Sequence, residues 1–269
     1  MHPYALKLIL QGRNKEAIKY LENISEKAVN SKHTIMLMDM ALEKSNAWKL
    51  DAKTWPWERA LPNTSLKKEE ASDKFTIAFG GGAGYVPENE RIWDTIGEIE
   101  PRALILLGDN VYIDDPMTPE MQLFHYYRRQ SQPEWSRLAK KVPIYGIWDD
   151  HDYGPNNSAG TAPNQYGYVA CQPEARTAYK NYVPHYPLAF EEEGKVISQS
   201  FNVGRVTYLL TDLRSEKNRP LFQGDCKNLR SEDCKKTKPG TNFGTEEHLK
   251  WFKDQLLKAK RNNHAVVSV

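Results

Sequence analysis

The chain has 269 residues, enough for one large domain or two ordinary ones. Lysine and arginine total 37 against 35 aspartates and glutamates, so the net charge of +2 gives no electrostatic case for a specific nucleic-acid-binding surface. A mean hydropathy of -0.71 and the lack of a long apolar run exclude a membrane-spanning segment.

The first 61 residues show a helical pattern, with apolar side chains at three- and four-residue steps. Residues 12–21 resemble the turn and second helix of a tetratricopeptide repeat, although a plain helical hairpin fits the pattern equally well. Such repeats need about three units to be stable alone. Residues 1–61 are therefore predicted to form a helical arm that could contact a protein partner and that carries no chemistry.

Residues 62–73 are polar and charged and are predicted to be a linker to a second domain, residues 74–269. This domain begins with an apolar strand near 75–79, a helix near 87–98 and another strand near 103–107. That alternation is typical of a parallel α/β sheet. Farther along, residues 188–191 and 196–203 predict a hairpin, and Thr245 is a suitable N-cap for a helix that ends near Arg261.

Acidic motifs follow two of the predicted strands. One strand runs into Gly108-Asp109-Asn110, and the other, residues 142–148, runs into Asp149-Asp150-His151-Asp152. Ligands bind at the carboxyl edge of parallel sheets, so we expect Asp109, Asp150 and His151 to lie together. Crowded carboxylates repel one another unless a cation lies between them, which favours a metal site. Either motif alone would be better explained as an N-cap aspartate.

Each of these residues suits a specific role in a two-metal hydrolytic centre. Asp109 is placed to bridge two ions, and Asp150 is a second candidate ligand. His151 could stabilise charge or protonate a leaving oxygen, while Asp152 could fix the tautomer of its imidazole. Arg214 ends a third strand and is suited to a bidentate phosphate contact, with an ordinary surface arginine as the alternative.

The glycine-rich turn at residues 80–84 follows a predicted strand and precedes a predicted helix, as a phosphate-binding loop does. It lacks the Gly-x-Gly-x-x-Gly spacing and the Lys-Ser/Thr pair of a P-loop, so no nucleotide cofactor is predicted. Glycines that allow tight turning and close approach to a neighbouring site are the better interpretation.

The cysteines and the N-terminus leave the compartment open. Of the 3 cysteines, Cys226 and Cys234 lie in one loop-like segment where a single disulfide could form. The first residues lack the basic and apolar regions of a signal peptide.

Residues 107–112, 148–154 and 211–214 together resemble the alkaline phosphatase D-like (PhoD-like) branch of the metallophosphoesterases, over roughly residues 75–269. The resemblance implies a four-layer α/β/β/α sandwich that hydrolyses phosphomonoesters or phosphodiesters, either small molecules or polymers. It implies two or more metal ions, with iron, calcium and manganese as candidates. It also implies a tyrosine ligand between the acidic motifs, for which Tyr126 is preferred to Tyr127, and it makes an exported or periplasmic location conceivable.

Two departures from the family pattern stand out. Many relatives have a metal-binding cysteine after the first strand, where this chain has Gly80-Gly81-Gly82. Further Asp/His ligands are expected after the strand that reaches Val269, so the domain is expected to be incomplete at its C-terminus. The alternative interpretation is a non-catalytic binding module with a degenerate phosphoesterase fold and a helical interaction arm.

Overall fold

The computed structural model describes residues 3–24, 32–42, 74–113, 119–160, 172–183, 187–190, 196–217, 221–223, 235–238 and 243–269. The predicted linker at 62–73 lies outside these ranges, as do all the cysteines and therefore the predicted disulfide. No described helix combines the length and apolarity needed to cross a membrane.

The described residues of the N-terminal part, 3–24 and 32–42, are mostly helical, as the apolar periodicity predicts. The bounds of the helices are α1, Pro3–Leu10; α2, Asn14–Glu22; and α3, Lys32–Leu42. Ile9, Leu21 and Met40 are each fully buried on the inner faces. They belong to the same apolar core cluster as Tyr145 of the α/β part, so these helices pack on the rest of the protein. The boundary at residue 61 and the repeat character of the arm stay predictions.

A parallel sheet forms the first half of the α/β part and confirms the alternation expected from the sequence. Its strands, in spatial order, are β1, Ile77–Gly80; β2, Ala103–Leu106; and β3, Ile144–Gly146. The connecting helices are α4, Ile92–Glu98; α5, Pro119–Gln130; and α6, Pro133–Lys141. Every residue of β2 is buried, as expected for a central parallel strand covered on both faces. Because Leu106 pairs with both Gly80 and Gly146, the three strands end at the same edge.

A mixed sheet forms the second half. Its strands, in spatial order, are β4, Gln199–Val203; β5, Val206–Leu210; and β8, Ala265–Ser268. Strands β4 and β5 are antiparallel, whereas β5 and β8 are parallel. The hairpin between β4 and β5 therefore turns at Gly204, whose φ of 53° suits glycine. The predicted hairpin between residues 188–191 and 196–203 is wrong for the described residues 188–190. Those residues form no strand, although Ala189 N donates to Ser198 O at 2.7 Å.

The remaining described elements are α7, Asp150–Tyr153; α8, Gln172–Tyr182; the antiparallel pair β6, Leu221–Gln223, and β7, Lys235–Lys238; and α9, Glu246–Arg261. The helix expected near 87–98 is divided into a short 3-10 helix, Pro87–Asn89, and α4. The predicted N-cap is confirmed, because Thr245 Oγ1 accepts a hydrogen bond from His248 N at 3.3 Å. The two larger sheets meet through Tyr145 and Phe201, whose ring centroids are 4.5 Å apart. The protein is thus a mixed α/β fold in which a parallel and a mixed sheet share a core.

Candidate metal centre

The loop after β2 presents Asp109 through an uncommon backbone conformation. Gly108 has a φ of 105°, and a Cβ added to it would lie 2.6 Å from Asp149 Cβ, so only glycine fits where the two motif loops cross. Asp109 itself has a φ of 51°, which aspartate tolerates better than most residues. The loop is therefore shaped to bring the Asp109 carboxylate against the motif that follows β3.

The second motif follows β3 directly. Ile147 N donates to Leu106 O at 2.9 Å, which continues the strand pairing up to the motif. Helix α7 then begins at Asp150, whose side chain is buried and accepts a hydrogen bond from Asn157 N. The short helix turns the chain sharply, so consecutive motif residues point in different directions.

Asp152 ties the two motifs together. Its Oδ1 accepts hydrogen bonds from the N–H groups of Asn110 (2.9 Å) and Val111 (3.0 Å), and its Oδ2 accepts from Asp149 N (3.1 Å). Burial raises the pKa of Asp152 to about 7, although these backbone hydrogen bonds act in the opposite direction. The carboxylate therefore organises the backbone of both loops. Its predicted effect on the tautomer of His151 stays a prediction.

The three residues expected to meet at the sheet edge do meet there. Asp109, Asp150 and His151 each offer one possible ligand atom, and these atoms all lie within 4.8 Å of one another. His151 N also donates to Asp109 Oδ1 at 3.4 Å. Burial raises the pKa of Asp109, and the neighbouring Asp150 carboxylate raises it further, while His151 lowers it. The site thus holds negative charges close together in a partly desolvated position.

Arg214 reaches this cluster from the end of β5. Its guanidinium forms an ion pair with the Asp149 carboxylate, and Nη2 lies 3.7 Å from Asp150 Oδ1. The Arg214 side chain is 18% exposed, so it is neither fully buried nor an ordinary surface arginine. A guanidinium beside the carboxylate cluster is suitably placed to contact an anion that binds there.

Asp212, two residues before Arg214, anchors the segment that follows β5. It is fully buried and accepts hydrogen bonds from Trp148 Nε1 and Ile197 N, both at 2.9 Å. The N–H groups of Arg214 and Ser215 also donate to Asp212 Oδ1, each at 2.9 Å. For the hydrogen bond between Trp148 and Asp212, the sequence signal is the tryptophan that directly precedes the second acidic motif.

Two tyrosines between the motifs lie in different surroundings. Tyr126 in α5 is buried, and burial, with Asp152 and Tyr179 nearby, raises the pKa of its hydroxyl well above the usual range. Tyr112 instead donates its hydroxyl to Asp109 Oδ2 at 3.3 Å, and its ring centroid is 4.5 Å from that of His151. Sequence reasoning overlooked Tyr112, although its position three residues after Asp109 was the available signal. Tyr126 as a ligand stays a prediction.

The glycine-rich turn packs directly on the Asp109 loop. Gly82 N donates to Gly108 O at 3.1 Å, and Ala83 N donates to Asp109 O at 3.0 Å. A Cβ at Gly82, whose φ is 65°, would lie 3.9 Å from the Tyr112 hydroxyl. These contacts confirm the interpretation of the turn as a close approach to a neighbouring site.

A family model described as PhoD-like phosphatase matches residues 77–268. The chain belongs to the PhoD-like phosphatase family. No curated protein matches it. Among solved structures it is similar to one described as "Structure of PhoD", with 16% sequence identity and a TM-score of 0.49. That match covers 68% of this chain and 39% of the other, so the chain spans well under half the length of that relative.

The donor set of this PhoD-like chain fits a hard metal ion. Carboxylate oxygens are preferred by calcium and manganese, and imidazole also suits iron. Asp109 and Asp150 supply two carboxylates in one group with His151. The Asp150 carboxylate raises the pKa of Asp109 by charge repulsion, and a bound cation would relieve that repulsion. Within the described part of the chain, this is the group of acidic and histidine side chains with metal-ligand spacing.

Proposed function

We propose that this PhoD-like chain is a metal-dependent phosphoesterase that hydrolyses phosphomonoesters or phosphodiesters. The convergence of Asp109, Asp150 and His151 within 4.8 Å carries the proposal, together with family membership. In the proposed site Asp109 would be the ligand shared by two metal ions, and Asp150 would be a second carboxylate ligand. Iron, calcium and manganese are the candidate metals. Bound ions of this kind supply Lewis acidity toward phosphate oxygens and a water nucleophile at neutral pH.

A tyrosine is proposed to complete the donor set of this chain. The sequence favours Tyr126 as this ligand. The structure gives stronger support to Tyr112, because the Tyr112 hydroxyl contacts Asp109 Oδ2. Phenolate oxygen is a suitable donor for ferric iron, and a neighbouring cation would favour loss of the hydroxyl proton.

His151 and Arg214 are proposed to act on the phosphate ester. The imidazole of His151 lies in the carboxylate cluster and beside the Tyr112 ring, which limits its orientation. From there it can give a proton to the leaving oxygen or stabilise charge that develops on it. The guanidinium of Arg214 can bind two phosphate oxygens side by side, and its ion pair with Asp149 holds it near Asp150.

The proposed architecture is a four-layer α/β/β/α sandwich over residues 74–269, preceded by a linker at 62–73 and a helical arm at 1–61. The contact between Tyr145 of the parallel sheet and Phe201 of the mixed sheet supports the two inner layers. The helices between the strands of the parallel sheet support one outer layer, and α9 supports the other. A tetratricopeptide-like arm would offer a surface for a protein partner.

A binding module with a degenerate site is the second candidate. Gly82 stands near Tyr112 where many relatives are expected to have a metal-binding cysteine, and this substitution favours loss of catalysis. Such a module would bind a phosphate ester or a protein without turnover. The two candidates make opposite predictions for hydrolysis.

Hydrolysis of chromogenic esters tests the proposal. The full chain should hydrolyse p-nitrophenyl phosphate or bis-p-nitrophenyl phosphate when manganese, calcium or iron is added, and a chelator should abolish the activity. Asp150→Asn should remove activity, whereas Asp254→Asn, at an exposed acidic residue in α9, should retain it. Metal binding without hydrolysis of either ester would favour the binding module, and activity that survives chelation would contradict both.

A further inference from the structure

Arg129 in α5 is a buried arginine that joins two loops distant from it in sequence. Its side chain is 5% exposed. Its Nη1 donates to Ala83 O at 2.6 Å and to Asn110 O at 2.7 Å. Ala83 belongs to the glycine-rich turn, and Asn110 directly follows Asp109. One guanidinium nitrogen thus bonds the turn and the candidate metal loop at the same time.

Glu90 holds this guanidinium in place. Its Oε1 lies 3.1 Å from Arg129 Nη2, and its side chain is 4% exposed. Its Oε2 accepts a hydrogen bond from Trp93 Nε1 at 2.7 Å, and the Arg129 guanidinium lies 5.4 Å from the Trp93 ring. A buried ion pair is tolerated only when its charges are well paired and bonded, which restricts Arg129 to this orientation.

The two loops are also bonded to each other. Ala83 N donates to Asp109 O at 3.0 Å. Both backbone groups of Ala83 are therefore hydrogen-bonded, its N–H to Asp109 and its carbonyl oxygen to Arg129. The carbonyl oxygen of Asn110, the residue after Asp109, is bonded to Arg129 as well. Asp109 needs this support because its φ of 51° is sparsely populated by residues other than glycine. Such conformations persist when the surrounding contacts determine them.

We infer that Arg129 is a positioning residue of the metal centre, which fixes the backbone of the Asp109 loop through Ala83 O and Asn110 O. The inference rests on the proposed function in one respect, that the Asp109 carboxylate presented by this loop binds metal. A lysine would preserve the charge, but its ammonium lacks the planar fork that serves two carbonyls and a carboxylate together. Arg129→Lys should therefore loosen the loop while it leaves the fold intact.

Two measurements on the full chain test this inference. In the metal-free protein, amide hydrogen exchange of Gly82 and Ala83 should be slow in the wild type and faster in Arg129→Lys. Mn²⁺ titration by calorimetry should show affinity weaker by ~10–100-fold in Arg129→Lys, as expected when a residue that orients a ligand is lost. Glu90→Gln should change both quantities in the same direction and by less, because its amide oxygen replaces only one carboxylate oxygen.

Leu138→Ala is the matched control for lost stability. Leu138 is buried in the second apolar cluster with Trp93 and Trp135 and belongs to neither loop. Its truncation should lower the melting temperature without a change in Mn²⁺ affinity or in the exchange of Gly82 and Ala83. A fall in melting temperature alone in Arg129→Lys, with Mn²⁺ affinity and exchange equal to those of Leu138→Ala, would overturn the positioning role.

The remaining outcomes separate this inference from the proposed function. If the wild type binds no Mn²⁺ and hydrolyses no ester, the proposed function fails, and the exchange comparison still decides whether Arg129 holds the loop. If Arg129→Lys does not fold, Glu90→Gln decides. Fast exchange of Gly82 and Ala83 in the wild type would overturn the inference whatever the variants do, because the loop would then not be held.

Discussion

Trp148 Nε1 donates a hydrogen bond to Asp212 Oδ1 at 2.9 Å, and this bond joins the end of the parallel sheet to the end of the mixed sheet. Both residues are buried. Trp148 precedes Asp149 in the second acidic motif, and Asp212 precedes Arg214 by two residues. This buried hydrogen bond therefore acts together with the ion pair between Arg214 and Asp149 to hold the guanidinium proposed to bind phosphate beside the carboxylate cluster.

Trp148→Phe should lower the free energy of unfolding by ~1–3 kcal/mol, because it leaves a buried carboxylate oxygen with one donor fewer. Urea unfolding followed by circular dichroism measures this change. Trp135→Phe, in the second apolar cluster, controls for the smaller ring. If Trp148→Phe loses no more stability than Trp135→Phe, the structural role given to Trp148 is wrong.

Asp150→Ala should remove metal binding more completely than Asp152→Ala. Asp150 belongs to the group with metal-ligand spacing, whereas Asp152 is engaged by three backbone N–H groups. Loss of a residue that only orients the ligands typically costs ~10–100-fold in affinity. Calorimetric Mn²⁺ titration of both variants decides between the roles, and equal affinities would refute the assignment of Asp150 as a ligand.

His151→Ala should lower kcat by ~10²–10⁴-fold, the usual worth of a general acid, while most bound metal is retained. Metal content by mass spectrometry, measured on the same sample as kcat, separates chemistry from binding. The close spacing of His151 to both carboxylates also allows a ligand role. Loss of metal together with activity in His151→Ala would establish that role and contradict the catalytic one.

Arg214→Lys should raise the KM for phosphate esters and weaken inhibition by inorganic phosphate, because an ammonium cannot make the bidentate contact. Steady-state kinetics with phosphate as competitor measure both. Arg137→Lys, at an exposed arginine paired with Asp94, is the control. An unchanged phosphate inhibition constant in Arg214→Lys would remove Arg214 from the proposed binding site.

The share of the stability that depends on His248 should fall as the pH drops below about 6.5, the unperturbed histidine pKa. His248 is buried, and burial lowers its pKa, although Phe243 O, Asp212 and Glu216 act in the opposite direction. At His248 the unfolded chain therefore binds a proton that the folded chain does not, so protonation of this side chain favours unfolding, whereas the raised pKa of Asp152 acts in the opposite direction. His125 is buried as well, and burial lowers its pKa in the same way.

The tautomer of His248 explains why protonation is unfavourable. Nδ1 lies 3.2 Å from Phe243 O and must donate to it, so Nε2 accepts the hydrogen bond from Ser198 Oγ at 2.8 Å. Asp212 N in turn donates to Ser198 Oγ. In His248→Gln the free energy of unfolding should depend less on pH between 5 and 6.5 than in the wild type. An identical pH dependence in urea unfolding would show that other groups dominate.

Much of the fold could be predicted because strand patterns and turn residues are local signals. The apolar runs that end in Gly108-Asp109 and in Asp149-Asp150 predicted two adjacent parallel strands, and the sheet register then placed their carboxylates together. The hairpin was misplaced because the segment between the predicted strands 188–191 and 196–203 contains Glu193-Gly194, which is as plausible a turn in sequence as Gly204. In the structure β4 pairs with β5, and the pair Val203–Val206 places the turn at Gly204.

The contacts that organise the site were harder to predict because they join residues far apart in the chain. The hydrogen bonds from Arg129 to Ala83 O and Asn110 O span 46 and 19 residues, and that from Trp148 to Asp212 spans 64. Tyr112 was overlooked for a different reason. Its closeness to Asp109 depends on the left-handed backbone of that loop, which residue spacing alone does not reveal.

The most direct test is crystallographic. A crystal of the full chain soaked in Mn²⁺ should give an anomalous peak ~2.0–2.6 Å from carboxylate oxygens of both Asp109 and Asp150. The peak should be absent from crystals of Asp150→Asn prepared in the same way. A peak found only at exposed acidic groups such as Asp94, or none in the wild type at millimolar Mn²⁺, would contradict a metal centre at this edge of the sheet.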